Sequence, residues 1–287
     1  MKKLLVLIVF ISQLVACGAN IEVKTVYWGE GPVIREQSRY VDDIANGPHT
    51  SYYPSGKLKV KSTYIENQLH GSYDAFFEHG GLYKQETYVN GTLEGDATVY
   101  CESGEIREKH FYKIGQRDGK SESYYKCSGQ LKISAEYANG SIAHRTTYYE
   151  NGKPKKLQPF INGKLHGEVL LYFRNGNTKA EQVYDAGKFH GNHVTYYWDG
   201  TIKKKSSYQH GLLKGDVRNY YESGKLRMKT SYVNGRKNGK RKKYSESGKL
   251  WLVQLYKNDK LHGATARYDK NGRIIKVIQY KDGEKAP

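Results

Sequence analysis

Apolar side chains are scarce in this chain, 37% of 287 residues, where a globular domain carries roughly 45–50%. A thick, two-layer hydrophobic core is thereby excluded. Proline is limited to 6 residues and glycine reaches 31, so the chain is neither a proline-rich coil nor a chain of long uninterrupted helices. Tryptophan and phenylalanine number only 3 and 7 against 27 tyrosines, and a tyrosine ring with its polar tip can sit half exposed. Acidic residues are also few: 29 Asp and Glu face 47 Lys and Arg, leaving a formal charge of +18. Such an excess points to anionic partners.

Beyond Leu4–Phe10 and its continuation, no apolar run approaches the 18–20 or so residues needed to span a bilayer. That run follows Lys2 and Lys3 and ends in Leu14-Val15-Ala16-Cys17, which fits a cleaved secretory signal. The tetrapeptide resembles the lipobox of bacterial lipoproteins, which implies that residues 1–16 are removed and that Cys17 becomes a lipid-bearing N-terminus. Several acyl chains anchor stably, each buried CH₂ contributing about 0.8 kcal/mol. The expectation is a membrane-anchored lipoprotein of the bacterial cell envelope with a mature charge of +16, two lysines fewer than the +18 of the whole chain. Nucleic acid is not an expected partner. Residues 17–46 read as a lipidated linker followed by a degenerate cap.

From residue 47 to 287 the chain reads as one repeat domain. Gly56, Gly80, Gly104, Gly129, Gly152 and their successors recur at a spacing of 24, as does a second row beginning Gly47, Gly71, Gly95 and Gly119. A third row, beginning Gly91 and Gly115, has Asn67 and Asp259 in two of its slots; Asn and Asp are the non-glycine residues that best tolerate a left-handed backbone. Aromatics recur at 12, from Tyr40, Tyr52 and Tyr64 to Tyr280. Twelve residues suit one short strand and one turn. The predicted fold is all-β: an elongated, single-layer antiparallel sheet of about ten tandem 24-residue hairpins. If the first turn centres between Ser55 and Gly56, Tyr64 lies opposite Gly47, where its ring can cover a residue without a side chain. The second glycine row is then a packing row. Each unit has too little apolar surface to fold alone and relies on its neighbours.

The segment Tyr220-Tyr221-Glu222-Ser223-Gly224-Lys225-Leu226, followed by Tyr232-Val233-Asn234-Gly235, resembles the bacterial variant of the MORN repeat. So do Tyr148 to Lys153 and Phe160 to Gly167. The resemblance covers residues 47–283 and implies successive hairpins in a twisted antiparallel sheet. It also implies an alternative function, since many bacterial relatives are described as antitoxin-like proteins that neutralise a toxin.

Catalytic machinery is not legible, and an enzyme is not expected. His70, His166, His190 and His262 each precede a glycine; such histidines are one per unit, and neighbouring units lie about 9.6 Å apart, beyond the ~2 Å bonds of a shared zinc. They read as turn residues, with no metal or cofactor expected. Cys101 and Cys127 lie in adjacent units. Equivalent positions are too distant for a disulfide, whereas the extra residue at this junction can bend the hairpin toward closure, so both states stay open. What stands out is charge: between Tyr196 and Lys260, 17 Lys and Arg face 5 Asp and Glu. Its densest runs, Lys203-Lys204-Lys205 and Lys240-Arg241-Lys242-Lys243, are the candidate site for an anionic or protein partner. The expected molecule is a monomeric, non-enzymatic, lipid-anchored envelope scaffold.

Overall fold

The computed structural model describes residues 14–16 and 18–286. Antiparallel hairpins of strands make up the described residues, among which there is no helix. They fall into two compact units, Met1–Ile142 and Ala143–Pro287, with the division inside strand Ser141–Tyr148. No helix long and apolar enough to cross a membrane occurs among the described residues. The signal sequence and Cys17 lie outside the described residues apart from Leu14–Ala16, a short strand paired with Ala19–Ile21.

In the first unit the hairpins begin at Ala19–Tyr27 and Ile34–Val41, within the stretch expected as linker and cap. Ile34–Val41 also pairs with Ile44–Tyr52, which pairs with Leu58–Ile65 and so on to Leu131–Ala138. The second unit repeats the pattern from Pro154–Ile161 to Ile274–Lys281. Tyrosine faces glycine as the spacing requires: Gly47 pairs with Tyr64, Gly71 with Tyr88, Gly191 with Tyr208 and Gly239 with Tyr256. The stand-ins of the third glycine row behave as glycine does, with φ of 64° at Asn67 and 69° at Asp259. That row also clasps consecutive hairpins within a unit, where turns donate a backbone N–H to the preceding hairpin, as in Gly91 to Leu69, Gly187 to Leu165 and Gly211 to Phe189, all 2.8 Å.

Side chains alternate between two faces, and one face carries what core there is. In each unit the central row of that face is small or polar, with Ser62, Glu86 and Ser121 buried in the first and Gln158, Ser206, Val217 and Thr230 in the second. Val169 is the largest fully buried side chain. The thin core is reinforced along a strand end. The hydroxyls of Tyr53, Tyr149, Tyr197 and Tyr221 donate to the carbonyls of Phe76, Tyr172, Tyr220 and Tyr244, each 2.8 Å and one unit ahead. The Trp28 indole does the same toward Tyr52 at 3.2 Å, which ties the first hairpin into the series. Each such bond contributes about 1 kcal/mol.

Cys101 occupies the place of these tyrosines, and it is joined to Cys127 by a disulfide with Cα atoms 5.8 Å apart. Cys127 is not its equivalent one unit on, which is Tyr125. It lies two residues further, in a lengthened turn where Tyr125 N–H reaches the Gln130 carbonyl and Lys126 and Cys127 have φ of 31° and 59°. The extra residue swings the thiol back over the preceding hairpin.

Candidate anion-binding face and its basic cleft

Strand alternation separates the seven basic residues onto two faces. Lys204, Arg241 and Lys243 share the core-bearing face. Lys204 pairs with Thr195 and Asn219, and Lys243 with Met228 and Leu252. Since Asn219 also pairs with Met228, Lys204 and Lys243 lie in one cross-strand row, three strands or about 14 Å apart. Arg267 and Lys276 extend that row beyond Leu252. Arg241 lies in the central row between Thr230 and Gln254. Lys205, Lys240 and Lys242 project to the opposite face, where Lys205, Arg218, Lys229 and Lys242 follow one another strand by strand. Lys203 holds its ammonium 5.2 Å from the centre of the Tyr197 ring. The same contact recurs at Lys155 on Tyr149 and Lys179 on Phe173.

The faces differ in how charge is balanced. On the opposite face Asp216 binds Lys229 at 2.7 Å and Arg218 at 3.3 Å. None of Lys204, Arg241 and Lys243 is in an ion pair among the described residues. Instead Arg241 donates to Met228 Sδ at 3.3 Å and to the Tyr256 hydroxyl at 3.4 Å.

Arg241 and Lys243 line an open cleft of about 290 Å³ with Tyr221, Arg227, Met228, Tyr244 and Trp251. Three cations thus converge on one concavity. Trp251 stands where other units carry Lys203 or Arg227, and its ring receives Lys243 at 5.3 Å. Burial, and next the like charges of Arg241 and Arg227, hold the Lys243 ammonium below the ordinary lysine value of 10.5. An anion in the cleft relieves that repulsion. Arg227, Tyr221, Tyr244 and Trp251 escape a reading based on charge runs. Arg227, Tyr221 and Tyr244 are routine members of their own repeats and Trp251 is a departure from its repeat, but only strand pairing gathers the four.

The other chemistry-bearing residues give no catalytic array. Ser38 Oγ and His49 Nδ1 lie 2.7 Å apart across paired strands, but no carboxylate hydrogen-bonds that ring among the described residues, and burial lowers its pKa. Of the row histidines, His70 Nδ1 meets Asn90 at 3.2 Å, His166 Nδ1 meets Asp185 at 3.3 Å and His262 Nδ1 meets Asp282 at 3.2 Å. Asn90 and Asp282 sit at the turn clasped against the strand, and Asp185 ends the strand just before such a turn; none lies in the histidine row.

No curated protein matches the chain. Five segments, residues 45–66, 143–162, 165–186, 213–234 and 237–258, match the MORN repeat variant family, whose repeats are generally protein- or membrane-binding modules and typically not catalytic.

Proposed function

We propose that the chain is a non-enzymatic, lipid-anchored scaffold of the bacterial cell envelope whose core-bearing face binds anionic phospholipid headgroups. The observation that carries this reading is the cleft, where Arg227, Arg241 and Lys243 converge with no carboxylate among its lining residues. Tyr221, Tyr244 and Trp251 beside them suit a surface that is charged at its head and apolar beneath. The Cys101–Cys127 disulfide supports an oxidising compartment outside the cytoplasm. The Leu-Val-Ala-Cys17 motif supports the anchor, and its processing removes the short Leu14–Ala16 strand.

Two measurements test the reading. Metabolic labelling with palmitate should mark the wild type and not Cys17→Ser; a labelled variant contradicts the anchor. Purified chain beginning at residue 18 should then co-sediment with vesicles containing phosphatidylglycerol and not with pure phosphatidylcholine. Binding should weaken between about 0.05 and 0.3 M salt as the screening length falls below roughly 10 Å.

The same assay has an expected pH dependence. The anion favours protonated Lys243 and raises its pKa, so affinity is full below the free-state pKa and falls as pH rises through it. Because that pKa lies below the ordinary 10.5, the decline should begin at lower pH than for unperturbed lysines, and Lys243→Arg should delay it. Equal binding to both vesicle types, or binding indifferent to salt, contradicts the proposed headgroup recognition.

A further inference from the structure

The hairpin clasp brings together side chains that sequence spacing keeps apart. In the second unit the turn around His210 is held against the preceding hairpin by the Gly211 N–H to Phe189 carbonyl bond of 2.8 Å. This sets His210 beside His190, with ring centres 5.4 Å apart. Asp185 ends the neighbouring strand Thr178–Asp185. One ligand-type atom from each of Asp185, His190 and His210 lies within 4.8 Å of the other two.

A second observation separates this cluster from its counterparts. His70 and His262 each bring Nδ1 to the residue at the clasped turn, Asn90 and Asp282, at 3.2 Å. In the unit of His190 that turn residue is His210, and His190 Nδ1 is sealed from solvent with no hydrogen-bond partner. A buried, unpartnered ring nitrogen is destabilising, and a metal ion is one partner that satisfies it. His166 Nδ1, 3.3 Å from Asp185, supplies the outer support that orients a ligating carboxylate.

We propose that Asp185, His190 and His210 form a zinc site. Two imidazoles and a carboxylate match zinc's nitrogen and oxygen preference, with one coordination position left for water. Tetrahedral bonds of about 2.0–2.2 Å place ligand atoms roughly 3.3–3.5 Å apart, so contraction of the cluster by about an ångström closes the site. The ion would tie the strand of His190 to the next turn, beside the backbone clasp already there. Hard ions such as Mg²⁺ and Ca²⁺ prefer all-oxygen ligands and should not compete.

The test uses untagged full chain and Zn²⁺ alone, with stoichiometry from elemental analysis after desalting and affinity from calorimetry. Wild type should retain one equivalent, with a raised melting temperature, in the presence of excess Mg²⁺. His210→Asn should lose that equivalent yet remain folded, because Asn90, Asn139, Asn162 and Asn234 occupy the same turn position with φ of 47–50°. Asp185→Asn should bind roughly tenfold or more weakly, and His262→Asn should match wild type. A wild type that retains no zinc, a His210→Asn chain that binds as wild type does, or a loss as large in His262→Asn overturns the proposal.

Discussion

Reduction of the Cys101–Cys127 disulfide should destabilise the local hairpins of the first unit by about 3–4 kcal/mol, the loop-closure value for a 26-residue separation. The effect is large for this fold because a single hairpin buries little. The central row near the bond consists of groups such as Ala97, Ser121 and Ala135, and Cys101 stands where other units have a tyrosine hydroxyl bond worth about 1 kcal/mol. The covalent link therefore replaces a weaker, repeated contact. Hydrogen exchange of the intact chain with and without reductant should show amides of Gly95–Tyr100 and Gln116–Tyr124 opening roughly 150- to 900-fold more often when reduced. Amides of Ile202–Gln209 in the second unit should be unchanged. Equal protection in both states would remove the disulfide from the account of stability.

That bond also marks where sequence reading stops. Register was legible because it depends on a strict period: turns at Ser55-Gly56 and its equivalents dictate the Gly47–Tyr64 pairing, and Asn67 at φ 64° follows from residue chemistry. Contacts between hairpins depend instead on how each turn folds back over its predecessor. A spacing rule compares equivalent positions, so it correctly separates Cys101 from Tyr125 yet leaves open the reach of Cys127. For the same reason, comparing His166 with His190 overlooks His210, which arrives from the next turn. The split of the basic runs into two faces was legible from alternation alone. The cleft was not, because Arg227 looks like any basic repeat residue and the Trp251 departure from its repeat does not say that Tyr221, Arg241 and Lys243 surround it.

Reversal of three charges on the core-bearing face, Lys204→Glu, Arg241→Glu and Lys243→Glu, should abolish the salt-sensitive binding to anionic vesicles. None of the three is in an ion pair among the described residues, so the substitutions break no salt bridge in the fold. Arg241 loses its bonds to Met228 and Tyr256, a cost of about 1–3 kcal/mol, so near-native circular dichroism is the control. Lys243→Glu places a carboxylate beside Arg227 and fills the cleft with its own counter-charge. Loss of three positive charges and gain of three negative ones should weaken binding by well over tenfold at low salt, since each cation near an anionic membrane contributes about 1 kcal/mol.

Net charge alone could produce part of that loss, and the opposite face supplies the control. Lys205→Glu, Lys240→Glu and Lys242→Glu change the net charge equally, on a face where Asp216 already compensates Arg218 and Lys229. The decisive measurement is a side-by-side titration of the two triple variants against phosphatidylglycerol vesicles at about 0.05 M salt, where the screening length exceeds 10 Å. The account predicts that the Lys204/Arg241/Lys243 variant loses binding while the Lys205/Lys240/Lys242 variant stays within a few-fold of wild type; equal losses in the two would contradict it.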